Sequence, residues 1–487
     1  MSDKVRTRFA PSPTGYMHIG NLRTALFEYL IAKHNGGDFL LRIEDTDQGR
    51  LVEGAVDIIY ETLKQVGLNW DEGPDIGGDY GPYVQSERVG MYKGYAEQLV
   101  EAGHAHYCFC SEEEIQKQRE EAESLGLSFR FDDPCKHLSK EEIQERLDAG
   151  EPYVIRQTIN NVGETSFDDE VYGHIDFDGD LLDEQILLKS DGFPTYNFAN
   201  IIDDHTMNIT HVVRGNEYLS STPKYNLIYD AYGWKRPTYV HVPPVMKDEK
   251  HKLSKRNGDA SFQDLVAKGY LPEAIINYIA LLGWAPEDEQ EIFSLDELIE
   301  KFDVSRISRS PAIFDINKLT WMNGVYLRNM DEETYFQTVK PWLDQAVKGD
   351  YDKREIAKII QPRIDVLNQI QESVDFFDTM GEYDLEMYRH KKMKSTPELA
   401  LTALKAARPV LAGIEDWTEE NVHEALLALP REMGLKNGQV LWPVRTALSG
   451  KQFTPGGAIE IAFILGKDES LRRMDAAIAR LEQAVEA

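Results

Sequence analysis

A loop between the first predicted strand and the first predicted helix contains residues suited to binding phosphate. It runs from Ala10 to Asn21 and includes Gly15, His18 and Gly20. Glycine allows the backbone to approach a ligand closely, and the N-terminus of a helix offers N–H groups and a partial positive charge to phosphate. The imidazole can donate a hydrogen bond as charge develops on phosphate oxygens. By itself this stretch fits an ordinary hydrogen-bonded loop histidine equally well.

A second segment suited to phosphate lies more than 230 residues later, at 252–256. Its sequence, Lys-Leu-Ser-Lys-Arg, supplies cations that can neutralise a triphosphate. Short basic runs are commonly solvated surface, so this segment alone is weak. The combination of backbone donors in one segment and cations in the other predicts a site for a nucleoside triphosphate.

All three cysteines lie in two short motifs, Cys108-Phe-Cys110 and Cys135-Lys-His137. Three thiolates and one imidazole make a complete tetrahedral ligand set for structural zinc. The one-residue spacing is less diagnostic than the commoner two-residue spacing, and reduced, half-buried cysteines beside a surface histidine are the alternative. We favour one structural zinc ion held by Cys108, Cys110, Cys135 and His137.

The surrounding elements predict an α/β N-terminal half. They are a strand at 5–11, a helix through 22–30, a strand at 39–43, a helix at 55–66, a strand at 210–214, a helix at 218–232 and a strand at 239–242. Such alternation predicts a Rossmann-type, doubly wound parallel sheet. The pattern is irregular between about 100 and 190, with one helix at 111–125, which indicates an inserted module.

Beyond about residue 260 helical periods dominate and predict an all-α C-terminal half. One helix, at 294–301, begins with a capping box formed by Ser294 and Glu297. The expected domains are a split Rossmann domain at 1–100 and 190–255, an inserted module at 101–189, a helical domain at 256–330 and an all-helical domain at 331–487.

The charge balance neither supports nor excludes a nucleic-acid partner. The chain has 53 basic and 84 acidic residues among its 487, a net charge of −31. Phosphate contacts need Lys and Arg, but basic residues gathered on one face would suffice, and 389–394 is one such run. The absence of a signal-peptide pattern and of any apolar run of ~20 residues predicts a cytoplasmic protein without a membrane partner.

The two phosphate-suited segments together resemble the paired HIGH and KMSKS motifs of class I aminoacyl-tRNA synthetases. Asn21 and Arg256 occupy the last positions of the two motifs, as in the glutamate and glutamine branch. The resemblance implies that His18 and Lys255 are catalytic and stabilise the transition state at the α-phosphate of ATP, which brings Mg²⁺ with it. The implied ATP-binding residues are Ser12, Thr14, Gly15, His18, Gly20, Asn21, Lys252, Ser254, Lys255 and Arg256.

Five further stretches resemble glutamyl-tRNA synthetases in particular, at 8–12, 42–47, 195–200, 213–217 and 321–324. The resemblance implies that Arg8 and Arg214 hold substrate carboxylates and that Glu44 receives the amino group. The pocket would be completed by Ala10, Ser12, Tyr196 and Asn200. Guanidinium groups suit a dicarboxylic substrate. The alternative is that both arginines merely pair with acidic residues of the chain.

The implied activity is that of a glutamate–tRNA ligase. Such an enzyme activates L-glutamate with ATP to glutamyl-adenylate and transfers it to the 3′-terminal adenosine of tRNA(Glu), releasing AMP and pyrophosphate. The insertion would bind the acceptor stem and carry the zinc, 256–330 would contact the tRNA stem, and 331–487 would bind the anticodon. A monomer is expected. Whether tRNA(Gln) is a second substrate depends on tail residues that the sequence does not assign.

Four alternatives are less favoured. One is a truncated paralogue that glutamylates a modified tRNA base, but that protein lacks a long anticodon-binding tail. Glutaminyl-tRNA synthetases typically have Pro-Glu-Pro-Asn where this loop has Pro-Ser-Pro-Thr, and their tails are β-barrels where this tail is helical. Another nucleotidyltransferase with a HIGH-like loop would not account for residues 260–487. A non-catalytic tRNA-binding regulator would not need intact His18, Lys255 and Arg8.

Overall fold

The computed structural model describes residues 4–127, 129–160, 162–253 and 261–486. The chain divides into two compact units, one formed by 1–266 with 272–316 and the other by 267–271 with 317–487. The first unit therefore contains both predicted parts of the Rossmann domain together with the residues between them.

The first unit is built from strands and helices that alternate through much of its length. Its strands are β1 (Arg6–Phe9), β2 (Asp38–Leu41), β3 (Ala105–Cys108), β4 (Val154–Gln157), β5 (Glu164–Asp169), β6 (Gly173–Asp178), β7 (Ile186–Leu188), β8 (His211–Gly215), β9 (Thr238–Val242), β10 (Val245–Met246) and β11 (Ala312–Ile313). Its helices are α1 (Ile19–His34), α2 (Ala55–Gln65), α3 (Val89–Glu101), α4 (Glu112–Ser124), α5 (Lys140–Asp148), α6 (Tyr196–Thr206), α7 (Thr222–Ala231), α8 (Phe262–Ala267), α9 (Pro272–Ala280) and α10 (Leu295–Lys301).

The central sheet is parallel, which confirms the predicted doubly wound architecture. Strand β1 pairs in parallel with β2, and β8 pairs in parallel with β9. The carbonyl oxygens of Val5 and Phe9 accept hydrogen bonds from the β2 side, whereas that of Arg6 accepts the Thr210 N–H at 2.9 Å. Since successive carbonyls of a strand point to opposite edges, β1 lies between β2 and β8. Helix α1 packs against β1, β2 and β8.

Two glycines allow the tight return from α1 into β2. Gly36 has φ +62°, a conformation that residues with a Cβ rarely adopt. Gly37 lies so close to Val5 that a Cβ would be 2.1 Å from the Val5 carbonyl oxygen. The chain therefore re-enters the sheet at Asp38, whose N–H donates to the same oxygen at 2.9 Å. This return places the carboxyl ends of β1 and β2 at the same end of the sheet.

The segment predicted as an insertion divides between two sheets. Strands β3, β4 and β7 form a separate antiparallel sheet. Strands β5 and β6 form an antiparallel hairpin, and β5 joins the edge of the central sheet by pairing in parallel with β9 at Asp169 and Tyr239. Part of 101–189 therefore extends the central sheet.

The second unit is helical, as predicted. Its helices are α11 (Ile316–Asn329), α12 (Glu332–Ala346), α13 (Lys353–Ile360), α14 (Gln369–Val374), α15 (Pro397–Ala412), α16 (Glu419–Glu432), α17 (Asn437–Ser449), α18 (Ala458–Leu465) and α19 (Lys467–Glu486). Its core includes Leu404, Leu426 and Val444. Within the described parts of the chain, no helix combines the length and apolar composition needed to cross a membrane.

Candidate active site

His18 caps the N-terminus of α1 and is held in one orientation. Its Nδ1 atom accepts the backbone N–H of Gly20 at 3.0 Å. A neutral imidazole that accepts at Nδ1 carries its proton on Nε2, so Nε2 is the donor of the ring. Gly15, with φ +112°, provides the turn before the helix. The predicted phosphate loop thus combines a fixed imidazole donor with a helix N-terminus.

Of the predicted cationic segment, the structure describes Lys252 and Leu253. Ser254, Lys255 and Arg256 lie outside the described residues, whereas Lys252 is exposed and pairs with Met246 of β10 in an antiparallel bridge.

The described residues that follow this segment contact the His18 loop directly. Ser261 forms an antiparallel bridge with His18. The Phe262 N–H donates to the Met17 carbonyl at 3.0 Å, and the Met17 N–H donates to Gln263 Oε1 at 3.1 Å. The chain that leaves the cationic segment is therefore fixed beside the phosphate loop, although more than 240 residues separate them in sequence.

Arg214, at the end of β8, is a buried cation whose hydrogen bonds go to neutral groups. It is 7% exposed, and its Nε donates to His241 Nε2 at 3.0 Å while its Nη2 donates to Thr222 Oγ1 at 2.8 Å. Its guanidinium carbon lies 4.8 to 5.4 Å from the ring centres of Tyr218, Tyr225 and Tyr239. Among the described residues Arg214 has no carboxylate partner, so the alternative of simple internal pairing does not apply to it.

Arg8, on β1, behaves differently. It is 4% exposed, and its Nε and Nη2 donate to both oxygens of Asp204 at 2.8 and 3.2 Å. Its Nη1 donates to Glu28 Oε1 at 3.2 Å. Internal pairing therefore does apply to Arg8 in this structure. These contacts use three of its five N–H groups and leave two, so its predicted contact with substrate stays a prediction.

Glu44 lies in the same buried charge network through Arg42. Arg42 is fully buried and donates to Asp204 Oδ1 at 2.8 Å and to Glu44 Oε1 at 3.0 Å. Burial raises the pKa of Glu44 to about 7, although Arg42 and Arg8 favour its charged form. Burial would also raise the pKa of Asp204, but Arg8 and Arg42 outweigh it and hold that pKa below its ordinary value. Glu44 is therefore a carboxyl whose charge can change near neutral pH, and burial raises the pKa of Glu28 in the same network as well.

Helix α6 presents two predicted pocket residues four positions apart, which places them on one face. Burial, and then the nearby Glu44 carboxylate, raise the pKa of Tyr196 well above its usual range, whereas Arg214 lowers it. Tyr196 therefore lies within electrostatic range of both Glu44 and Arg214. Asn200 is 2% exposed and its Nδ2 has no hydrogen-bond partner among the described residues. A buried amide donor without a partner is costly unless a ligand completes it.

The remaining predicted residues belong to the phosphate loop and its approaches. Ser12, Thr14 and Asn21 are exposed, and Ala10 and Gly20 are half-buried. The Glu44 N–H donates to the Pro11 carbonyl at 3.0 Å. The loop therefore runs directly past the backbone that carries Glu44, at the carboxyl ends of β1 and β2.

The three thiols form one cluster with a group that the sequence analysis did not predict. The ligand atoms of Cys108, Cys110, Cys135 and Asp133 all lie within 4.8 Å of one another. The sulfurs of Cys110 and Cys135 are 3.7 Å apart, which matches the separation of ~3.8 Å that Zn–S bonds of ~2.3 Å give in a tetrahedron. The arrangement therefore fits a small tetrahedral cation.

The predicted fourth ligand, His137, is not in this cluster. It ends the short 3-10 helix Pro134–His137 and is exposed, whereas Asp133 is fully buried at the N-cap of that helix. Asp133 accepts the Cys135 N–H at 2.9 Å, and its other oxygen is 3.0 Å from His106 Nε2. Burial raises the pKa of Cys108 to about 11 without a metal. Without a cation the raised pKa favours the neutral thiol. A bound cation would favour the thiolate instead, since the thiolate is the form that binds metal.

Sequence reasoning missed the residues that hold the predicted ones in place. Arg42, Asp203 and Asp204 complete the buried network, and His241 accepts a hydrogen bond from Arg214. One signal was present. Asp203 and Asp204 follow Tyr196 at helical spacings of seven and eight residues, so all three share one face of α6, a polar face that would need buried partners.

Comparison with known protein families gives matches in both units. Residues 4–321 match the family described as tRNA synthetases class I (E and Q), catalytic domain, and residues 334–478 match one described as an anticodon binding domain. The chain is 59% identical over 482 residues to a glutamate–tRNA ligase of Clostridium botulinum, strain Hall, covering 99% of each chain. A protein of the same name from Clostridium acetobutylicum is 57% identical over 483 residues, covering 99% of this chain and 100% of that one.

Two solved structures resemble the whole chain. A glutamate tRNA ligase from Elizabethkingia meningosepticum, solved in complex with its amino acid, has a TM-score of 0.90 and 37% identity, covering 98% of this chain and 100% of that one. A glutamate–tRNA synthetase from Elizabethkingia anophelis has a TM-score of 0.88 and 36% identity over the same shares of the two chains. The resemblance in fold therefore extends over almost the entire length.

Proposed function

Because this chain belongs to the class I tRNA synthetases of the glutamate and glutamine family, we propose that it is a glutamate–tRNA ligase. Its substrates are L-glutamate, ATP with Mg²⁺ and tRNA(Glu). A carboxylate oxygen of glutamate attacks the α-phosphorus of ATP and pyrophosphate leaves. A hydroxyl of the 3′-terminal adenosine of tRNA then attacks the activated carbonyl, loses its proton to the medium and releases AMP.

The observation that carries this proposal is the state of Arg214. A buried guanidinium is costly to desolvate unless an anion compensates it, and among the described residues Arg214 has no carboxylate partner. The side-chain carboxylate of glutamate is the complementary ligand, since a guanidinium binds carboxylate in a planar, bidentate manner. The neutral amide of glutamine would leave the cation uncompensated.

The other pocket residues supply the remaining contacts of an amino acid. Glu44 receives the α-ammonium group, which stabilises its charged form. The Nδ2 of Asn200 and two N–H groups of Arg8 have no partner in the described part of the chain, and they donate to substrate oxygens. Ala10 and Ser12 line the pocket from the phosphate loop, and Tyr196 closes it from α6.

The phosphate chemistry rests on His18 and Lys255. His18 Nε2 donates to the α-phosphate as negative charge grows on its oxygens in the transition state. Lys255 supplies a cation to the same phosphates, supported by Ser254, Arg256 and Lys252, while Thr14, Gly15, Gly20 and Asn21 line the triphosphate. Support for Lys255 comes from the described residues after its segment, which contact Met17 and His18.

The cysteine cluster holds a structural zinc ion. The thiolates of Cys108, Cys110 and Cys135 supply three ligands, and a closed ligand set leaves no position for catalytic water. We propose His137 as the fourth ligand, which requires its exposed side chain to turn toward the thiols, because Asp133 already accepts from the Cys135 N–H and contacts His106. Asp133 would then orient the turn that presents the ligands, as outer groups do at many metal sites.

The contacts with tRNA are assigned to three ranges of the chain. Residues 101–189 bind the acceptor stem, 256–330 contact the stem below it, and 331–487 bind the anticodon, with support from the family match at 334–478. The enzyme acts as a monomer and, because it must meet tRNA, in the cytoplasm. Charging of purified tRNA(Glu) and tRNA(Gln) in separate reactions decides whether the second is also a substrate.

ATP–pyrophosphate exchange in the presence of tRNA(Glu) tests the proposed function. Exchange should depend on glutamate and should be far weaker with glutamine. Arg214→Ala should reduce kcat/KM for glutamate by ~30-fold or more, since removing one partner of a desolvated charge pair costs ~2–5 kcal/mol. Arg236→Ala is the matched control, because Arg236 is a surface arginine paired with Asp230. Exchange driven equally well by glutamine would overturn the assignment of substrate.

A further inference from the structure

His241, on β9, contacts the Nε side of the Arg214 guanidinium. Its Nε2 accepts the Arg214 Nε–H at 3.0 Å. Thr222 Oγ1 lies 3.3 Å from the same Nε2, but an arginine Nε always carries its hydrogen, so the shorter contact with Arg214 makes Nε2 an acceptor. The imidazole is therefore unprotonated at Nε2.

Asp169, at the end of β5, fixes the other side of the imidazole. One carboxylate oxygen lies 2.7 Å from His241 Nδ1 and accepts the His241 N–H at 3.0 Å. The other oxygen accepts the N–H groups of Val171 and Tyr172 at 2.9 and 2.8 Å. His241 is fully buried and Asp169 nearly so. The carboxylate is thus held by backbone, and Nδ1 carries the proton that it accepts.

We propose that His241, held by Asp169, is a positioning residue that aims Arg214 and keeps its charge available for the side-chain carboxylate of glutamate. This inference rests on the proposed role of Arg214. A carboxylate in direct contact would neutralise the guanidinium and compete with the substrate. The imidazole accepts one N–H of Arg214 and separates the guanidinium from the Asp169 carboxylate. It therefore offsets part of the cost of burying the cation. It does not occupy the edge of the guanidinium that would bind a carboxylate.

Arg8 is a second buried arginine with which Arg214 can be compared. Both arginines are buried, but Arg8 binds Asp204 directly through two N–H groups, whereas Arg214 reaches Asp169 only through His241. Among the described residues Arg214 has two hydrogen bonds, and neither N–H of its Nη1 has a partner. The three tyrosine rings around it favour a cation without forming hydrogen bonds to it. His241 therefore contributes to the preference for a carboxylate over an amide side chain.

Two substitutions of His241 distinguish a role in orienting Arg214 from a purely structural role. His241→Asn can still donate to Asp169 but is too short to reach Arg214, whereas the amide oxygen of His241→Gln can occupy the position of Nε2. In ATP–pyrophosphate exchange by the full chain with tRNA(Glu), His241→Asn should raise KM for glutamate roughly ten- to hundred-fold, as expected for losing a hydrogen bond to a charged group. KM for ATP should stay unchanged, and His241→Gln should restore most of the loss.

The same measurements in an Arg214→Lys background decide whether His241 acts through Arg214. There His241→Asn should add little, since the group that it orients is gone. An undiminished effect in that background, or equal effects of the Asn and Gln substitutions on both substrates, would overturn the inference. If Arg214→Ala leaves glutamate use intact, the proposed function fails. If only His241→Asn is silent, this inference alone fails.

A measurement on the unsubstituted protein keeps the inference testable if the variants fold poorly. The ¹⁵N NMR signals of His241 should show a protonated Nδ1 and an unprotonated Nε2. Protonation of Nε2 would contradict the contact with Arg214 and overturn the inference.

Discussion

The backbone N–H of Gly20 donates to Nδ1 of His18 at 3.0 Å. This contact joins the first turn of α1 to the imidazole that caps it, and it leaves Nε2 as the donor of the ring. A Cβ at residue 20 would lie 3.1 Å from the same Nδ1, so glycine permits the approach. The orientation of the predicted catalytic histidine is therefore set by its own loop before ATP arrives.

His18→Ala should lower the rate of ATP–pyrophosphate exchange by ~10²–10³-fold, because one donor to developing phosphate charge is typically worth that much. KM for glutamate should change little, since His18 serves the phosphate. His174→Ala, at an exposed histidine of β6, is the control. Exchange at an unchanged rate would remove His18 from the chemical step.

The pKa of about 7 that burial gives Glu44 predicts a pH dependence of glutamate use. The carboxyl must be charged to receive the α-ammonium group, and it is increasingly neutral below its pKa. We expect kcat/KM for glutamate to fall by up to ~10-fold per pH unit below about pH 7 and to be level above it. Glu44→Gln should be poorly active and lack this profile. The same profile in Glu44→Gln would assign the titration to another group.

The different partners of Arg8 and Arg214 predict different costs of removing them. Arg8→Ala leaves Asp204 buried with only Arg42 as its cation, and breaking such a pair typically costs ~3–5 kcal/mol of stability. Arg214→Ala removes two hydrogen bonds to neutral groups, a smaller loss of ~1–3 kcal/mol. Denaturant unfolding followed by circular dichroism measures both. A greater loss for Arg214→Ala would contradict the observed pairing.

Protein purified without chelators should contain about one zinc ion per chain by elemental analysis, and Cys135→Ser should lose it. The metal should also leave as the pH falls, because each thiolate must remain deprotonated to bind. Transfer to tRNA should suffer in Cys135→Ser, while ATP binding should survive. Zinc-free protein with three freely reactive thiols would rule the site out.

Two further substitutions identify the fourth zinc ligand. His137→Ala should lower zinc occupancy, whereas Asp133→Asn should retain the metal, because in our proposal Asp133 only orients the ligand turn. Elemental analysis of the two variants after identical dialysis is the measurement. The reverse pattern would assign the fourth position to the Asp133 carboxylate, which the structure places beside the thiols.

Binding of tRNA should weaken steeply with salt despite the net charge of −31. Lys391, Lys392 and Lys394 are exposed on a turn before α15, while Arg389 pairs with Glu386. Each lysine that contacts phosphate should contribute ~0.7–0.9 to the slope of log K against log salt. Replacing the three lysines with glutamine should reduce the slope, and Lys340→Gln, on α12, is the control. An unchanged slope would place the phosphate contacts elsewhere.

Local features of the chain could be predicted because neighbouring residues determine them. The capping box of Ser294 and Glu297 forms as expected, and α10 begins at Leu295. The helix predicted at 111–125 is α4, Glu112–Ser124. The helix predicted from 218 begins later, at Thr222, because Asn216–Tyr218 form a 3-10 turn first. Periodicity and caps act over one or two turns, so the sequence contains them.

The partners of the site residues depend on contacts between distant parts of the chain. Asp204 meets Arg8 across 196 residues, and His241 meets Asp169 across 72. The motifs identified Arg8 and Arg214 equally as carboxylate-binding residues. Only the tertiary structure separates the one that already holds a carboxylate from the one that does not, because a buried charge takes its properties from whatever the fold packs against it.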